Sequence, residues 1–212
     1  MSETVRLGWI EAFADQAATA GGHLAIPVGD FHALIYSGET QGSHADFCAR
    51  LLAAGETARI IPARMGQALN DITTLSTLVG QKAEAIKGQL ASLGTKRQLS
   101  LVSEAELPAP FDECHSLREK HQYIQDVRQS LDKAISPAQP FLAWARDQGA
   151  SVGAPFACGQ NKVAIDLLMA RDTIQDSLEY WGLHRPDNIQ CALIGPLPPF
   201  GFLNSVSREA AQ

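Results

Sequence analysis

Basic residues are too scarce in this sequence for a typical nucleic-acid-binding protein. The 212-residue chain has 17 Lys and Arg against 23 Asp and Glu, which gives a formal net charge of −6. Neutralised phosphates supply most of the non-specific affinity for nucleic acid, so a binder of this class needs a basic face. The most basic stretch here is the short pair Lys96-Arg97. We therefore expect no nucleic-acid partner.

Cysteines and long apolar runs are also scarce. A chain of this length can bury about 70% of its unfolded surface and folds without a disulfide framework or a structural metal. No apolar run approaches the roughly 20 residues of a membrane-spanning helix, and the residues after Met1 lack the basic and apolar regions of a secretory signal. These absences predict a reduced, cytoplasmic protein without a membrane span. The four cysteines are scattered and form no Cys-x-x-Cys pair: Cys48, Cys114, Cys158 and Cys191.

Motifs for catalysis and cofactor binding are missing as well. The chain has neither the GxxxxGKS/T nor the GxGxxG spacing that places backbone amides around a phosphate. Cys114, His115 and His121 offer at most two ligands on one helix face, whereas a catalytic zinc needs three protein ligands. Cys158, beside a glycine, is the one thiol with the surroundings of a reactive cysteine. We expect no catalytic residue, no cofactor and no metal.

Residues 1–66 predict a small sheet covered by helices. Ser43 is a suitable N-cap and Gly55 a suitable stop for a helix between them. The pair Gly29-Asp30, between two apolar runs, predicts a hairpin. The predicted order β-α-β-β-α-β is that of a ferredoxin-like sandwich. Its strands are predicted at 5–10, 24–28, 31–36 and 58–61, and its helices at 11–20 and 43–54.

Residues 67–212 predict a second domain with two long helices. Apolar residues recur every three or four positions from Ile72 to Leu93 and again from Leu117 to Ile135, which is the period of an amphipathic helix. The fold class is therefore α+β, with a domain boundary after residue 66. Further strands are predicted at 98–102, 163–168 and 189–194, a helix at 172–181, a linker at 104–112, a loop at 149–160 and an extended tail at 195–202.

Two stretches need an explanation beyond folding. Pro62 interrupts a strand ladder and Gly66 permits a close backbone approach, so we expect Arg64 to be held at a shaped strand end. The tail at 195–202 contains three prolines and two aromatic residues. Proline fixes φ and removes a donor, so the tail is expected to lie extended on the surface. Such a stiff segment loses little entropy when it docks, whether onto its own domain or onto a partner.

These two stretches resemble the hallmarks of the gas vesicle protein L/F family. That family has a Leu-Pro-x-Arg-Phe-Gly segment after a helix that begins with His, and it ends in Gly-Pro-aromatic-Pro-Pro-aromatic-Ser-Phe. Here Ile61-Pro62-Ala63-Arg64-Met65-Gly66 is similar to the first segment, with Met65 in place of Phe, and His44 lies near the start of the preceding helix. Gly195-Pro196-Leu197-Pro198-Pro199-Phe200-Gly201-Phe202 is similar to the second, with Leu197 in place of the aromatic residue and Gly201 in place of Ser.

The resemblance implies an accessory or minor structural protein of gas vesicles, the gas-filled protein shells that give some bacteria and archaea buoyancy. It implies the hydrophobic shell protein and other accessory proteins as partners, a cytoplasmic, vesicle-associated location and no enzyme activity. A protein that handles such an aggregation-prone subunit needs apolar grooves or unpaired sheet edges. The partner-binding residues that the resemblance indicates are Pro62, Arg64, Gly66, Gly195, Pro196, Pro198, Pro199, Phe200 and Phe202.

Two alternatives remain open from the sequence. One is a small thiol- or His-dependent enzyme that uses Cys158 or the pair Cys114 and His115. The other is a ferredoxin-like ligand-binding regulator, because that fold also serves many small-molecule-binding proteins. Neither alternative has a complete set of functional residues in the sequence.

Overall fold

The computed structural model describes residues 8–18, 20–36, 43–69, 72–109, 116–159, 161–186 and 190–203. The chain forms two compact units, which we call unit 1 (Met1–Arg97 with Leu197–Gln212) and unit 2 (Gln98–Pro196). The sequence predicts a boundary after residue 66, whereas the structure has it after residue 97. The reason is that the long helix after the first sheet packs against three strands of that sheet.

Unit 1 is an antiparallel sheet with two described helices. The sheet has the strand order β2-β3-β1-β4, and β1 is antiparallel to both β3 and β4, as β2 is to β3. Because β3 lies between β1 and β2, this is the split arrangement of a ferredoxin-like fold. The elements are β1 (Gly8–Ala14), β2 (Leu24–Val28), β3 (Phe31–Tyr36), α1 (His44–Ala54), β4 (Ile60–Leu69) and α2 (Ile72–Leu93).

The start of α1 confirms the prediction at Ser43. The Ser43 hydroxyl accepts a hydrogen bond from the Asp46 backbone N–H, and the Asp46 carboxylate accepts one from the Ser43 backbone N–H, which together form a capping box. The Ser43 hydroxyl also donates a hydrogen bond to the Asp46 carboxylate, and this bond, together with the one from the Ser43 backbone N–H, lowers the pKa of the Asp46 carboxyl. Gly55 follows the last residue of the helix, as predicted.

The first helix of the predicted ferredoxin-like order is wrong. Residues 11–20 were expected to be helical, but β1 continues to Ala14, and the helical segment described between β1 and β2 is a single 3₁₀ turn at Ala20–Gly22. Alanine favours helices, yet every residue from 10 to 14 is buried in the sheet. A strand that is covered on both faces loses the polar–apolar alternation by which a sequence pattern identifies it.

Unit 2 packs helices against a five-stranded sheet. The strand order is β6-β8-β5-β9, and β7 also pairs with β8. The long helix predicted from the second apolar period is confirmed at α3, as the first is at α2. The elements are β5 (Lys96–Glu104), α3 (Leu117–Ile135), α4 (Gln139–Asp147), β6 (Ser151–Val152), β7 (Phe156–Gly159), β8 (Lys162–Ala170), α5 (Ile174–His184) and β9 (Cys191–Leu197).

Strands β6 and β7 correct the loop predicted at 149–160. Both are antiparallel to β8. No residue of β7 is buried, so the strand carries no hydrophobic pattern and its sequence has the small residues typical of a loop. Cys158 therefore lies exposed in a strand rather than in a loop.

Strand β8 confirms the strand predicted at 163–168, and its residues from Val163 to Met169 are all buried in the core of unit 2. Alternate residues of β8 face the helices, as the two-residue period of a strand requires. Both units combine a sheet with helices, so the chain is α+β, which confirms the predicted fold class. The buried residues of this core include Leu99, Leu101, Phe141, Leu142, Val163, Ile165, Leu167, Met169 and Trp181.

Candidate functional site

The first predicted motif lies inside a strand rather than at its end. β4 runs through Pro62 to Leu69, so the prediction that Pro62 ends the strand is wrong. Pro62 is buried and pairs with Ala12 of β1. Because β4 is at the end of the sheet, a proline is tolerated there without loss of a ladder bond to a further strand.

Arg64 lies where β1 and β4 lose their register. The two strands pair on both sides of Glu11, but residues 63–66 of β4 lie between the two paired stretches. Four residues of β4 therefore face one residue of β1. Arg64 and Gly66 both belong to this segment, and the side chains of residues 64–69 lie outside the described part of the structure. An irregularity of this kind bends a strand and changes the direction of its side chains.

A buried ion cluster supports β1 at this point. The Glu11 carboxylate accepts a hydrogen bond from Arg50 Nη2 at 2.6 Å and lies 2.7 Å from His23 Nε2. Glu11 is only 4% exposed, and a buried carboxylate is costly unless it is paired. The Arg50 guanidinium also lies 3.9 Å from the centre of the Tyr36 ring. The cluster thus fixes the bulged strand to α1, and sequence reasoning missed it because its members are far apart in the chain.

The second predicted motif, residues 195–202, is extended at its beginning and turns at its end. Gly195 and Pro196 are exposed and belong to β9, an end strand of the sheet, as the extended prediction requires. Pro198 and Pro199, in contrast, are buried, and a 3₁₀ turn follows at Phe200–Phe202. The prediction of an extended surface tail is therefore wrong for residues 198–202.

Phe200 packs the tail onto unit 1. Its ring stacks on Phe47 of α1 with the ring centroids 5.8 Å apart, and the His44 ring lies 6.0 Å from Phe200. Burial of an aromatic ring against other rings is favourable, which explains why the tail turns here instead of remaining extended. The structure thus brings together the helix-opening histidine and the tail, two of the three features that carried the resemblance.

Gly195 has a packing reason to be glycine. Its φ is +143°, a conformation that other residues rarely adopt. A Cβ at this position would lie 2.7 Å from Leu99 Cδ2 and 2.9 Å from the Gln98 carbonyl oxygen. The close approach of β9 to β5 therefore requires a glycine here, apart from any role in binding.

Burial changes the thiol chemistry of two of the three described cysteines, Cys48 and Cys191. Burial raises the pKa of the Cys48 thiol and also that of the Cys191 thiol, where a hydrogen bond to Ser103 has a smaller, opposite effect. Both groups are therefore neutral thiols near pH 7, whereas a nucleophile must be a thiolate. Cys158 is exposed. Cys114 and His115 lie outside the described residues.

Two small cavities lie beside the end of β5 in unit 2. Their volumes are about 310 Å³ and about 290 Å³, and both are lined by Ser103 and Glu104. Lys133 and Glu106 also line the first cavity, and Lys162 lines the second. Typical small-molecule sites are lined by apolar and aromatic side chains, and no described lining residue of either cavity is aromatic.

The described part of the chain contains neither a metal-binding cluster nor a membrane-spanning helix. No group of three or more His, Cys, Asp or Glu side chains in it is placed to hold a metal ion. His121 is exposed on α3, where its Nε2 lies 3.0 Å from the Gln125 amide. None of the described helices is both long and apolar enough to cross a membrane.

Two solved structures share this fold over most of the chain. The crystal structure of gas vesicle protein GvpF from Microcystis aeruginosa matches with a TM-score of 0.62 and 13% sequence identity, covering 92% of this chain and 98% of that chain. GvpF from Anabaena sp. PCC7120 matches with a TM-score of 0.65 and 11% identity, covering 92% and 95%. No family model and no curated protein matches the sequence. The resemblance predicted from the two motifs is confirmed at the level of the fold.

Proposed function

We propose that this protein acts in gas vesicle assembly, where it binds the vesicle shell protein or other gas vesicle accessory proteins in the cytoplasm. The observation that carries the proposal is the fold shared with two GvpF proteins over 92% of the chain. Fold alone does not determine function, so the two sequence motifs are needed as a second support. In the structure these motifs lie in β4, in β9 and in the 3₁₀ turn at Phe200–Phe202, where Phe200 stacks on Phe47 of α1.

The outer edge of β9 is the binding surface that we favour. β9 is the last strand of its sheet, and an edge strand presents backbone groups that can pair with a strand of another protein. Ala192, Ile194 and Pro196 are exposed on it, Ile194 by 47%. Pro196 has no N–H, so an added strand would lose its ladder there. The expected occupant is an extended apolar segment that pairs with residues 191–195.

Arg64 is the second residue that we assign to partner binding. It belongs to the irregular segment of β4, which is supported on the other strand by the buried Glu11 cluster. An arginine guanidinium can bind a partner carboxylate in a bidentate manner. Pro198 and Pro199 are buried, and the half-buried Phe200 stacks on Phe47 of α1, so we assign a positioning role to these three residues.

We propose no enzymatic activity. The raised pKa values of the Cys48 and Cys191 thiols disfavour nucleophilic catalysis at those positions. The thiol-dependent enzyme would need Cys158, or the pair Cys114 and His115, and neither has a described partner set that would activate a thiol. A binding role requires no such set.

The proposal is tested by single-residue substitutions in cells that produce gas vesicles. Ile194→Lys places a charge at the edge of β9. Leu183→Lys is the matched control, because Leu183 is 81% exposed on α5, a helix that contains neither motif. Arg64→Ala is paired with Arg146→Ala, which removes an exposed arginine at the end of α4. Vesicle yield is measured as the turbidity that is lost when pressure collapses the vesicles.

We expect Ile194→Lys and Arg64→Ala each to reduce vesicle yield severalfold, and both controls to retain the wild-type yield. Circular dichroism of the purified variants establishes that they are folded. Wild-type vesicle yield from a folded protein with both substitutions would contradict the proposal. An equal reduction by the controls would also contradict it, because the effect would then not belong to the motif surfaces.

A further inference from the structure

The first half of α3 has an exposed apolar stripe. Leu117 is 86% exposed and Ile124 is 48% exposed. They lie seven residues apart and therefore on the same side of the helix. Ile135, in the last turn, is the one buried residue of α3, so the helix is anchored at its C-terminal end and exposes its N-terminal turns. Side chains as exposed as these do not belong to the hydrophobic core of the unit.

The stripe has the spacing of a coiled-coil seam. Alternating steps of three and four residues give the a and d positions of a heptad, and this pattern is typical of a helix that packs along a second helix. The available seam consists of Leu117, Lys120, Ile124 and Val127, because the next two positions, Leu131 and Ala134, pack against the core of unit 2. From residue 117 to residue 127 this seam is about 15 Å long at 1.5 Å per residue. Its three- and four-residue spacing fits the apolar face of a partner helix.

Basic side chains flank the exposed part of the seam. Lys120, His121 and Arg128 lie within or beside it, while the carboxylates of Glu119 and Asp126 lie on the other side of the helix. A second copy of this helix would bring the same basic groups together, which is unfavourable. A helix with acidic flanking residues is complementary, and flanking charges determine partner choice in paired helices.

The exposed N-terminal turns of α3 are stabilised by hydrogen bonds within the helix itself. Ser116 and Glu119 form a capping box, in which the Glu119 carboxylate accepts the Ser116 backbone N–H at 2.8 Å. The Gln122 amide donates to Asp126 at 2.9 Å, one helical turn along. Each of these interactions stabilises a helix locally. Since the helix is already formed, a partner helix that docks on it incurs little additional ordering cost.

We propose that the stripe of α3 binds an amphipathic helix of another protein, one whose apolar seam is flanked by Asp or Glu. The surface belongs to unit 2 and includes neither sequence motif, so the inference goes beyond the proposed function and stands without it. Its test needs no gas vesicle component.

Binding is measured with the full-length protein and a labelled synthetic helix. The probe is a peptide of about three heptads with Leu at a and d and Glu at the flanking positions, and the comparison peptide has Lys in place of Glu. Fluorescence anisotropy gives the dissociation constant for each. Leu117→Gln with Ile124→Gln should weaken binding of the Glu peptide at least about tenfold, and because both side chains are exposed, the variant should remain folded.

Charge reversal tests the complementarity separately. Lys120→Glu with Arg128→Glu should weaken binding of the Glu peptide by about tenfold and improve binding of the Lys peptide. Arg118→Glu with Arg146→Glu is the control, because it changes the net charge equally at exposed positions away from the seam. That control should bind the Glu peptide within about twofold of wild type.

Three results would overturn the inference. One is the absence of measurable binding between the wild-type protein and the Glu peptide. Another is equal affinity of the wild type and the glutamine variant, or a preference for the Lys peptide. The third is a wild-type dimer, seen by analytical ultracentrifugation, that the glutamine variant loses, because the stripe would then bind a second copy of this chain.

Discussion

The Phe200 ring stacks on the Phe47 ring, with the ring centroids 5.8 Å apart and the ring planes inclined by 24°. This contact joins a residue near the end of the described chain to the first helix. Leu197 and Phe200 both pack against the apolar core of unit 1. The proline-rich tail is therefore part of the folded unit, and its sequence pattern has a structural role beside any role in binding.

Phe200→Ala should destabilise unit 1. The substitution removes a half-buried ring that contacts Phe47 and His44, and losses of this kind cost about 1–3 kcal/mol in the free energy of unfolding. Urea unfolding followed by circular dichroism measures the change. Phe156→Ala is the control, because Phe156 is 43% exposed in β7, and it should cost clearly less. Equal effects of the two substitutions would show that the Phe200 stack does not stabilise the fold.

Gly21→Ala should destabilise the protein more than Gly22→Ala. Both glycines have positive φ, +79° and +77°, so alanine is strained by about 1 kcal/mol at either position. A Cβ at Gly21 would also overlap the Arg50 carbonyl oxygen, whereas nothing lies within 4 Å of one at Gly22. The difference between the two unfolding free energies isolates this overlap. Equal destabilisation would indicate that the 3₁₀ turn does not approach α1 so closely.

Asp166 should make stability depend on pH in a direction opposite to that of most carboxylates. It is 9% exposed in β8. Burial raises its pKa above the ordinary value of 3.8, and hydrogen bonds from Ser100 and Gln98 partly offset this. Between the unfolded-state pKa and the higher folded-state pKa of Asp166, the folded state binds more protons than the unfolded state. This group therefore makes stability fall as pH rises through that range. Asp166→Asn should therefore gain stability relative to wild type as pH rises above the ordinary value of 3.8.

Asp30 provides the opposite control for that experiment. A hydrogen bond and charge interaction with Lys87 lower the pKa of its carboxyl. A lowered pKa contributes stability above the ordinary value, and this is lost as pH falls through the folded-state value. Asp30→Asn should thus lose stability relative to wild type as pH rises. If both variants change in the same direction, the assignment of burial as the cause at Asp166 is wrong.

Thiol labelling distinguishes the binding protein from the enzyme alternative. In the folded protein at neutral pH, Cys158 should react with iodoacetamide before Cys48 and Cys191, because it is exposed and their thiol pKa values are raised by burial. Mass spectrometry of peptides gives the rate at each cysteine. The rate at Cys158 should not exceed that of the same residue in the urea-unfolded chain. A much faster reaction in the folded state, at Cys158 or Cys114, would support the enzyme.

Local patterns predicted the helices and the covered strands well. The capped helix after Ser43 and the two long apolar periods appear at α1, α2 and α3 almost as predicted. The hairpin at Gly29-Asp30 is confirmed by the antiparallel pairing of β2 with β3. In the three helices one face is apolar and the other polar, so the period is visible in the sequence itself. The hairpin is indicated instead by the turn residues Gly29-Asp30 between two apolar runs.

The failures have a common cause, which is that distant residues decide the local structure. β1 is buried on both faces and β7 on neither, so neither strand shows an alternation. The tail turns at Phe200 because it meets Phe47, more than a hundred residues earlier in the chain. The Glu11 cluster likewise depends on Arg50, a residue of another element. Such contacts between distant residues cannot be predicted from short segments of the sequence.

Co-purification tests the central claim most directly. The tagged full-length protein is captured from cells that are producing gas vesicles, and the bound proteins are identified by mass spectrometry. The account predicts that the shell protein or another gas vesicle accessory protein is enriched at least about tenfold over a capture with the Ile194→Lys, Arg64→Ala variant. Recovery of no gas vesicle protein with the folded wild type, or equal recovery with the folded variant, would contradict it.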